Sequence, residues 1–432
     1  MTELSYVRTE MLPESEPPAS TVGIVGWARE NLFNGWFNSV LTIISLYAIY
    51  SILAAILPWM LHNTWSATSL NECRDIVAAS GAEHGGACWG VIRERWLQMM
   101  FGFYPSELYW RPILAFILLL VALAPVLFDT MPRKMLWFSA LFPFLMPWLL
   151  WGGSIWPPIS ALIGFVLGYV VFRALSAATS DLIGLIGGVV AAVVWWLYLS
   201  GGFSSIAHGI IPIGIESVES RQFGGFMLSI TIGVVAIGCS FPIGIFLALG
   251  RRSDLLIVKS LCVGFIEFIR GVPLITLLFV ASTLLNIFLP PGTEFDIILR
   301  VFIMVTLFAS AYMAEVIRGG LAALPTGQYE AADALGLDYW KAQRLIIMPQ
   351  ALKISIPGIV STFIGVFKDT TLVSIIALFD PLNLSNAIRA DSAWNGIVWE
   401  LYGFIAVVFF ILCFSMSRYS MYLERKLQTG HQ

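Results

Sequence analysis

Long apolar stretches alternate with short polar segments along most of this 432-residue chain. About ten of the apolar stretches reach the roughly 17 to 25 residues that a helix needs to cross the hydrocarbon core of a membrane. The pattern therefore predicts an all-α polytopic membrane protein with about ten transmembrane helices. The expected spans are residues 36–57, 112–128, 135–151, 156–173, 183–200, 226–249, 260–288, 297–316, 357–379 and 398–416.

The two spans predicted between residues 135 and 173 contain several prolines. Pro143 and Pro147 lie inside the first span, and Pro157 and Pro158 begin the second. Proline removes a backbone hydrogen bond and bends a helix. The sequence therefore leaves open whether this region crosses the membrane twice or forms two re-entrant pieces.

Basic residues gather in short segments that are separated by even numbers of predicted spans. Because Lys and Arg collect in cytoplasmic loops, these segments share one side of the membrane, and that side should be the cytoplasm. Ten spans then place both chain termini in the cytoplasm as well. The residues concerned are Arg133, Lys134, Arg251, Arg252, Lys259, Lys341, Arg344, Lys353, Arg418, Arg425 and Lys426.

The predicted loop at 58–111 lies on the opposite side and holds Cys73 and Cys88, fifteen residues apart. In an oxidising periplasm these cysteines could form a disulfide that closes the loop, but two free thiols agree equally well with the sequence. The four histidines are scattered and show no metal-ligand spacing, so no metal site is expected.

Composition agrees with the membrane assignment. Hydrophobic residues make up 58% of the chain and charged residues 12%, about half the charged share of soluble domains. A soluble protein of this length could not bury so much apolar surface, so a lipid bilayer must cover part of it. The net charge of −3 gives no indication of a nucleic-acid partner.

A polar segment at 327–349 interrupts the apolar pattern between two predicted spans. Ala331 and Ala332 near its start favour helix with little side-chain bulk. Gly336, four residues later, permits a sharp turn. Pro349 at its end is expected to help end a second short helix. The segment is therefore predicted to form a cytoplasmic helix-turn-helix.

This segment resembles the EAA loop, the helix-turn-helix by which permeases of ATP-binding-cassette (ABC) importers bind their ATPase. Further motifs of the amino-acid branch follow one another from Gly224 onward: SITIG at 229–233, ALGRRS at 248–253, EFIRGVPL at 267–274, AEVIRGG at 314–320 and FKDTTLV at 367–373. The resemblance implies a five-helix type I importer core with its EAA loop at 325–355. It also implies that the ATPase is coupled through Glu330, Ala331, Ala332, Gly336, Arg344 and Pro349.

The first half of the chain lacks these motifs. Through Ala87-Cys88-Trp89 and the run 101–105 it resembles the extended permeases of the general or acidic L-amino-acid uptake branch. The implied organisation is a cytoplasmic tail at 1–34, a transmembrane extension at 35–222 with the periplasmic loop 58–111, the permease core at 223–424 and a C-terminal tail at 425–432.

The resemblance also implies a function. A protein of this family would move polar L-amino acids, such as glutamate, glutamine, aspartate and asparagine or a broader range, across the bacterial inner membrane by alternating access. The chain has no phosphate-binding P-loop, so ATP–Mg would be bound by a partner ATPase, and this non-catalytic chain would carry no cofactor. A second homologous permease and a periplasmic amino-acid-binding protein are the other implied partners.

Charged residues within spans cost at least about 2.5 to 3.5 kcal/mol at mid-membrane and therefore suggest a function. Lys368 and Asp369, followed by Thr370, match the carboxylate and ammonium groups of an amino acid. One hypothesis is that these three residues line the translocation path, with Glu267 and Arg270 near its cytoplasmic half. The alternative, that each pair of opposite charges neutralises itself in helix packing, stays open.

Two further charged pairs, Glu315 with Arg318 and Asp296 with Arg300, lie near span ends. For both pairs mutual neutralisation is the expected role. A different feature, the sequence from Gly271 to Pro273, is expected to bend or break its helix.

Two other classes of protein are less compatible with the sequence. An ion-gradient-driven secondary amino-acid transporter, the main alternative, should show an internal repeat across its spans, and the two halves show none. A membrane-embedded enzyme would need a nucleophile and base, or a metal cluster, within the spans, whereas the histidines lie in loops or tails.

Overall fold

In the computed structural model, which describes residues 23–81, 85–284 and 296–428, the chain is mainly helical. Nine helices of the described residues are long and apolar enough to cross a membrane, and one bent helix pair supplies a tenth apolar segment. The predicted all-α polytopic architecture is therefore confirmed. The chain forms two compact units that divide after Gly90.

The described part of the first unit consists of α1 (Gly23–Asn31), α2 (Trp36–Leu61) and α3 (Leu70–Ala79). Helix α2 is apolar on all sides, and none of its residues is buried. Beyond α2 a disulfide joins Cys73 of α3 to Cys88, and both half-cystines are buried. Of the two alternatives that the sequence left open for these cysteines, the structure shows the bridge.

The second unit begins with a short helix and a set of long apolar helices. Residues 133–151 and 156–178 form two helices that are each long and apolar enough to cross a membrane despite their prolines, which favours two full spans between 135 and 173. Pro157 and Pro158 fit because they occupy the first turn of their helix, where N–H groups have no intrahelical partner. The helices are α4 (Gly90–Phe101), α5 (Trp110–Leu127), α6 (Leu136–Trp151), α7 (Trp156–Ala178), α8 (Asp181–Val194) and α9 (Ser200–Ile210).

Helices α7 and α8 pack closely through small residues. Gly168 and Gly188 are buried and face each other, and a Cβ on Gly188 would meet the carbonyl oxygen of Gly168 at 2.6 Å. Small residues allow this approach of two membrane helices. A π-helical turn joins α8 to α9, so one helix runs from Asp181 to Ile210. The span predicted at 183–200 therefore continues ten residues further.

A small two-stranded antiparallel sheet connects two loops of this unit. Strand β1 (Gly153–Ser154) pairs with β2 (Gly214–Ile215), with Gly153 opposite Ile215. The sheet lies between the end of α6 and the start of α7 on one side, and after α9 on the other. The sheet holds the end of α6, the start of α7 and the end of α9 close to one another.

The remaining helices form the part of the chain in which the motifs lie. Helix α13 presents buried residues every three or four positions, from Ile298 through Val301, Val305 and Ala309, which is the spacing of one helix face. The helices are α10 (Gly225–Arg251), α11 (Leu256–Gly271), α12 (Leu274–Phe279), α13 (Ile297–Ala322), α14 (Thr326–Ala334), α15 (Tyr339–Ala342), α16 (Met348–Asp369), α17 (Pro381–Ala390) and α18 (Trp399–Gln428).

Helices α11 and α12 form the bent pair, with 99° between their axes. Gly271 ends α11, and Pro273 is the residue before the first turn of α12. The predicted break at these residues is therefore confirmed, and the two helices lie within the span predicted at 260–288 apart from the first residues of α11. Proline cannot donate the hydrogen bond that would continue α11. The last residues of that predicted span, 285–288, lie outside the described part of the chain.

The extension and the motif-bearing helices share one hydrophobic core. Ala115 of α5 and Phe142 of α6 belong to the same buried cluster as Leu228 of α10 and Val305 of α13. Trp151 also stacks on Phe223 with ring centroids 4.4 Å apart. The side chains on both sides of residue 222, where the motifs suggest a boundary, are thus packed together.

Candidate functional site

The polar segment predicted to form a helix-turn-helix does so. Helix α14 ends at Ala334, and Gly336 adopts a left-handed conformation with φ 67°. The N–H groups of Gly336 and Leu337 donate to the carbonyls of Asp333 and Ala332 at 2.9 and 3.1 Å, which closes the first helix. A residue with a side chain would be strained at this φ.

Asp338 begins the second helix of the loop. Its carboxylate accepts the backbone N–H of Lys341 at 2.9 Å and forms an ion pair with the Lys341 ammonium at the same distance. The backbone N–H contact, together with the ammonium, holds the pKa of Asp338 below its usual value. This cap sets where the second helix starts.

The expectation that Pro349 helps to end the second helix is wrong. Helix α15, the π-helical segment Gln343–Ile347, α16 and the 3₁₀ segment Thr370–Ile376 form one continuous helix from Tyr339 to Ile376. Pro349 lies in the first turn of α16, just after the π segment. A π turn shifts the hydrogen-bond register by one residue, so the missing N–H of proline does not interrupt the helix.

Five of the six residues assigned to ATPase coupling face outward. Glu330, Ala331, Gly336, Arg344 and Pro349 are exposed. Ala332 is buried, and α14 packs against the second helix of the loop. The coupling role of these residues stays a prediction, and the burial of Ala332 separates it from the other five.

The sequence analysis missed a set of exposed apolar side chains in this loop. Leu335 is 74% exposed and Trp340 65%, and Tyr339 and Leu345 are more than half exposed. Exposed large apolar groups on one polar segment are typical of a protein contact surface, and the ring centres of Tyr339 and Trp340 lie 5.3 Å apart. We call these four residues the apolar tip. Their apolar character within a polar segment was the signal that could have identified them.

Two contacts fix α14 to the transmembrane helices. Arg252, at the C-terminal end of α10, donates to the Tyr329 hydroxyl at 2.9 Å, and its guanidinium lies 5.5 Å from the centre of the Tyr329 ring. Gln350 of α16 donates to the side-chain carbonyl of Gln328 at 3.0 Å. The first helix of the loop is thus held from both sides.

Five charged side chains from three helices meet near the end of α10. Glu315 of α13 pairs with Arg251 of α10 at 3.1 Å, with Arg270 of α11 at 3.3 Å and with Arg318. Arg251 also contacts Glu267 of α11 at 2.7 Å. We call these residues the charge cluster. Its three arginines and two glutamates leave one net positive charge.

Two of the ion pairs expected from the sequence have other or additional partners in the charge cluster. Glu315 and Arg318 do form the expected pair, but Glu315 binds two further arginines. Glu267 pairs with Arg251 on a different helix, and Arg270 pairs with Glu315. The interpretation of Glu267 and Arg270 as a self-neutralising pair is therefore wrong, because tertiary packing brings other partners closer.

The other span-end pair has local structural contacts. Asp296 caps α13 by accepting the N–H groups of Ile298 and Leu299 at 2.9 and 3.1 Å, and it also accepts the Ser220 hydroxyl. Arg300 donates to the carbonyl of Ser282 at 2.9 Å. These contacts order the start of α13.

A cleft of about 310 Å³ lies between α13 and α16. Asp369 brings a carboxylate to its wall, and two aromatic rings, Phe308 and Tyr312, form the α13 side. An acidic group next to aromatic faces is suited to an ammonium ion. The lining residues are Phe308, Ala309, Tyr312, Ser361, Thr362, Gly365, Val366 and Asp369.

The three consecutive residues proposed for the translocation path do not face the same way. Asp369 lines the cleft, whereas the neighbouring Lys368 is exposed on another side of the helix. Thr370 is fully buried, and its hydroxyl donates to the carbonyl of Phe367 at 2.7 Å. In this structure Thr370 does not line the cleft, because successive helical residues point in directions about 100° apart.

Asp380 is a buried acid that the sequence analysis did not identify. It is fully buried and caps α17, with its two carboxylate oxygens accepting the N–H groups of Asn383 and Leu382, each at 3.1 Å. Burial raises the pKa of Asp380 from its ordinary value of 3.8 to about 6, although these N–H groups act in the opposite direction.

Comparison with known proteins identifies relatives over the whole chain. The family described as binding-protein-dependent transport system inner membrane component matches residues 240–429. The chain is 59% identical to the glutamate/glutamine/aspartate/asparagine transport system permease protein BztC of Rhodobacter capsulatus, over 100% of both proteins. It is 41% identical to the inner membrane amino-acid ABC transporter permease protein YhdY of Escherichia coli, over 94% of this chain and 93% of that relative.

A solved structure is similar to part of the chain. The crystal structure of an amino acid ABC transporter with histidines covers 46% of this chain and 91% of its own, with 29% identity and a TM-score of 0.42. BztC and YhdY, in contrast, also match most of the chain that lies before residue 240.

Proposed function

Because this chain belongs to the family of inner-membrane permeases of binding-protein-dependent ABC transporters, we propose that it forms one half of a path for polar L-amino acids. The substrates would be glutamate, glutamine, aspartate and asparagine, since the name of the relative with 59% identity gives these four amino acids as what it transports. Transport would run from periplasm to cytoplasm by alternating access, with a second homologous permease forming the other half.

The EAA loop is proposed to couple this permease to its ATPase. The observation that carries this assignment is the apolar tip, which a rigid helix-turn-helix presents beside Glu330 and Arg344. Exposed apolar groups with charged residues beside them are typical of protein contact sites. The partner ATPase would bind ATP–Mg, and this chain would be neither catalytic nor a cofactor carrier.

The disulfide supports one orientation of the proposed permease in the membrane. A bridge such as Cys73–Cys88 persists in oxidising compartments such as the periplasm. If the segment after α2 is periplasmic, residues 1–34 are cytoplasmic. With the bent pair counted as one crossing, the chain has ten candidate spans, and in this orientation the EAA loop and the C-terminal tail would be cytoplasmic.

The cleft between α13 and α16 is the proposed position of the substrate path. The carboxylate of Asp369 would bind the substrate ammonium. Lys368, on the neighbouring face of the same helix, would point toward the second permease. Glu267 and Arg270 would lie near the cytoplasmic end of the path, since the charge cluster includes the last residue of α10. Thr370 is proposed to support the helix.

The test is ATP hydrolysis by the complex reconstituted in liposomes, with and without a binding protein and glutamate. We expect ligand-loaded binding protein to stimulate hydrolysis, and Glu330→Lys to reduce the stimulated rate about tenfold while the subunits stay associated. Glu107→Lys, the same change at an exposed position near the start of α5, should behave as wild type. Absence of a co-purifying ATPase, with uptake that follows an ion gradient, would contradict the proposal.

A further inference from the structure

Two adjacent arginines at the end of α10 contact different parts of the protein. Arg252 donates to the Tyr329 hydroxyl of α14 at 2.9 Å and to the Leu321 carbonyl of α13 at 3.2 Å. Arg251 donates to Glu267 at 2.7 Å and to Glu315 at 3.1 Å. The last turn of one helix thus joins the EAA loop to the charge cluster.

The charge cluster in turn connects three transmembrane segments. The Glu315 side chain is only 18% exposed and accepts from guanidinium groups of α10, α11 and α13. A carboxylate shielded from water in this way interacts more strongly with its partners than one at the surface. Loss of one arginine would remove one of the three guanidinium groups that bind this carboxylate, so the three helices are held in one arrangement as long as the cluster is complete.

The cluster also reaches the cleft. The guanidinium of Arg270 lies 5.6 Å from the centre of the Tyr312 ring, and that ring lines the cleft together with Asp369. A continuous series of contacts therefore runs from Tyr329 through Arg252, Arg251, Glu315 and Arg270 to Tyr312. Each step is an ion pair, a hydrogen bond or a ring contact between described side chains, apart from the peptide bond that joins the two arginines.

The Arg252 contact is specific for arginine and tyrosine. The planar guanidinium of Arg252 both donates to the Tyr329 hydroxyl and lies over its ring, and a lysine ammonium cannot make both contacts in the same geometry. Arg251 is the last residue of α10 and Arg252 follows it directly, so a displacement of Tyr329 would act on the Arg251 side of this turn as well.

We propose that Arg251 and Arg252 transmit motion between the EAA loop and the charge cluster, so that movement of the loop changes the pairing of Glu315 and with it the cytoplasmic end of the cleft. Both are positioning residues: neither touches substrate or nucleotide. The proposal rests on the proposed function, since it requires that an ATPase moves the loop. Coupling is reciprocal, so the same residues carry the signal of a loaded binding protein back to the ATPase.

The test measures the number of substrate molecules imported per ATP hydrolysed in proteoliposomes. A variant that is merely less well folded loses import and hydrolysis in proportion, and this ratio does not change. We expect Arg252→Gln to lower the ratio roughly threefold to tenfold and to remove the stimulation by loaded binding protein. Arg418→Gln, the same change at a position in α18, is the matched control and should keep the wild-type ratio.

Tyr329→Phe supplies a second measurement if Arg252→Gln fails to assemble. It removes the hydroxyl but keeps the ring. On a logarithmic scale, we expect the ratio to fall about half as far as it does in Arg252→Gln. Combining the two changes should add little, because both act on one contact. A wild-type ratio in Tyr329→Phe and Arg252→Gln overturns the inference. If the wild-type complex itself shows no stimulated hydrolysis, the proposed function fails, and this inference, which rests on it, fails with it.

Discussion

Arg95 of α4 forms an ion pair with Asp391, 296 residues further along the chain. Asp391 follows α17, and its other carboxylate oxygen accepts the N–H of Ala393. The pair thus ties the short helix before α5 to a loop of the permease core. Each side chain is about one-third exposed, so solvent screens the pair and its contribution is modest.

Arg95→Gln should therefore weaken this attachment only slightly, by about 0.5 to 1 kcal/mol. The measurement is the rate of limited proteolysis in the loop around Asp391, which should rise about twofold to fivefold. Arg93→Gln, the same change on the same helix, gives the control rate. An equal effect of Arg95→Gln in an Asp391→Asn background would show that the two residues do not act together.

Removal of the disulfide should destabilise the segment that follows α2. A bridge that closes a loop of this length stabilises it by about 3 kcal/mol in the chain-entropy account. The double variant Cys73→Ser, Cys88→Ser should therefore increase local opening by up to about a hundredfold, measured as proteolysis within residues 62–90. Cys239→Ser, at a cysteine outside the bridge, should leave the rate unchanged, and resistance of the double variant would contradict the prediction.

Asp380 should make the protein less stable as pH rises from 4 to 6. Its folded pKa of about 6 exceeds the ordinary value of 3.8, so the folded state holds the proton more tightly than the unfolded state. The resulting stabilisation is complete below about pH 4, is lost as pH rises through 6, and amounts to about 3 kcal/mol. Other groups also titrate in this range, so the measurement is the difference between wild type and Asp380→Asn.

Thermal unfolding in detergent at pH 4.5 and pH 7.5 checks this expectation. The amide introduced by Asp380→Asn does not ionise at either pH, so this variant should show a smaller decrease in midpoint between the two conditions than the wild-type protein. The same decrease in both proteins would mean that Asp380 titrates near its ordinary value.

The apolar tip should contribute much of the affinity for the ATPase. Trp340→Ala removes a side chain that is 65% exposed, so folding should be little affected, whereas binding of the ATPase should weaken at least about fivefold. Titration of the purified permease complex with ATPase subunit measures this change. The matched control is Trp399→Ala, where the tryptophan is 74% exposed at the start of α18. Equal affinities of the two variants for the ATPase would exclude the apolar tip as a binding surface.

Asp369→Asn should raise the substrate concentration needed for half-maximal uptake by about tenfold, because an amide does not neutralise an ammonium group. Asp75→Asn, the same change at an exposed position of α3, should not alter it. Lys368→Leu tests the neighbouring face separately. Unchanged uptake in both Asp369→Asn and Lys368→Leu, with assembly and hydrolysis intact, would remove these residues from the path.

Local signals in the sequence were sufficient to predict several elements. Gly336 and the alanines before it specify a turn after a short helix, and Pro273 specifies a break, because each acts on its own backbone. The partner of Glu267 could not be predicted in this way. Arg270 is its neighbour along α11, but the packing of α10 against α11 places Arg251 closer, and hydropathy carries no information about that approach.

The errors at helix ends have a related cause. Pro349 was expected to end a helix by its local chemistry, yet a preceding π turn absorbs the missing hydrogen bond. Thr370 shares a polar run with Lys368 and Asp369, but helical rotation turns it into the protein interior. Sequence proximity identified the region of the cleft, and only the direction of each side chain separates lining residues from supporting ones.

The continuous helix from Tyr339 to Ile376 has a mechanical consequence. Trp340, at the surface proposed for the ATPase, and Asp369, in the cleft, belong to the same helix and are separated by about 43 Å at 1.5 Å per residue. No loop lies between them to absorb torsion. A twist applied about the helix axis at the cytoplasmic end therefore rotates the Asp369 carboxylate relative to the rings of Phe308 and Tyr312, so the helix can act as a shaft between the two surfaces.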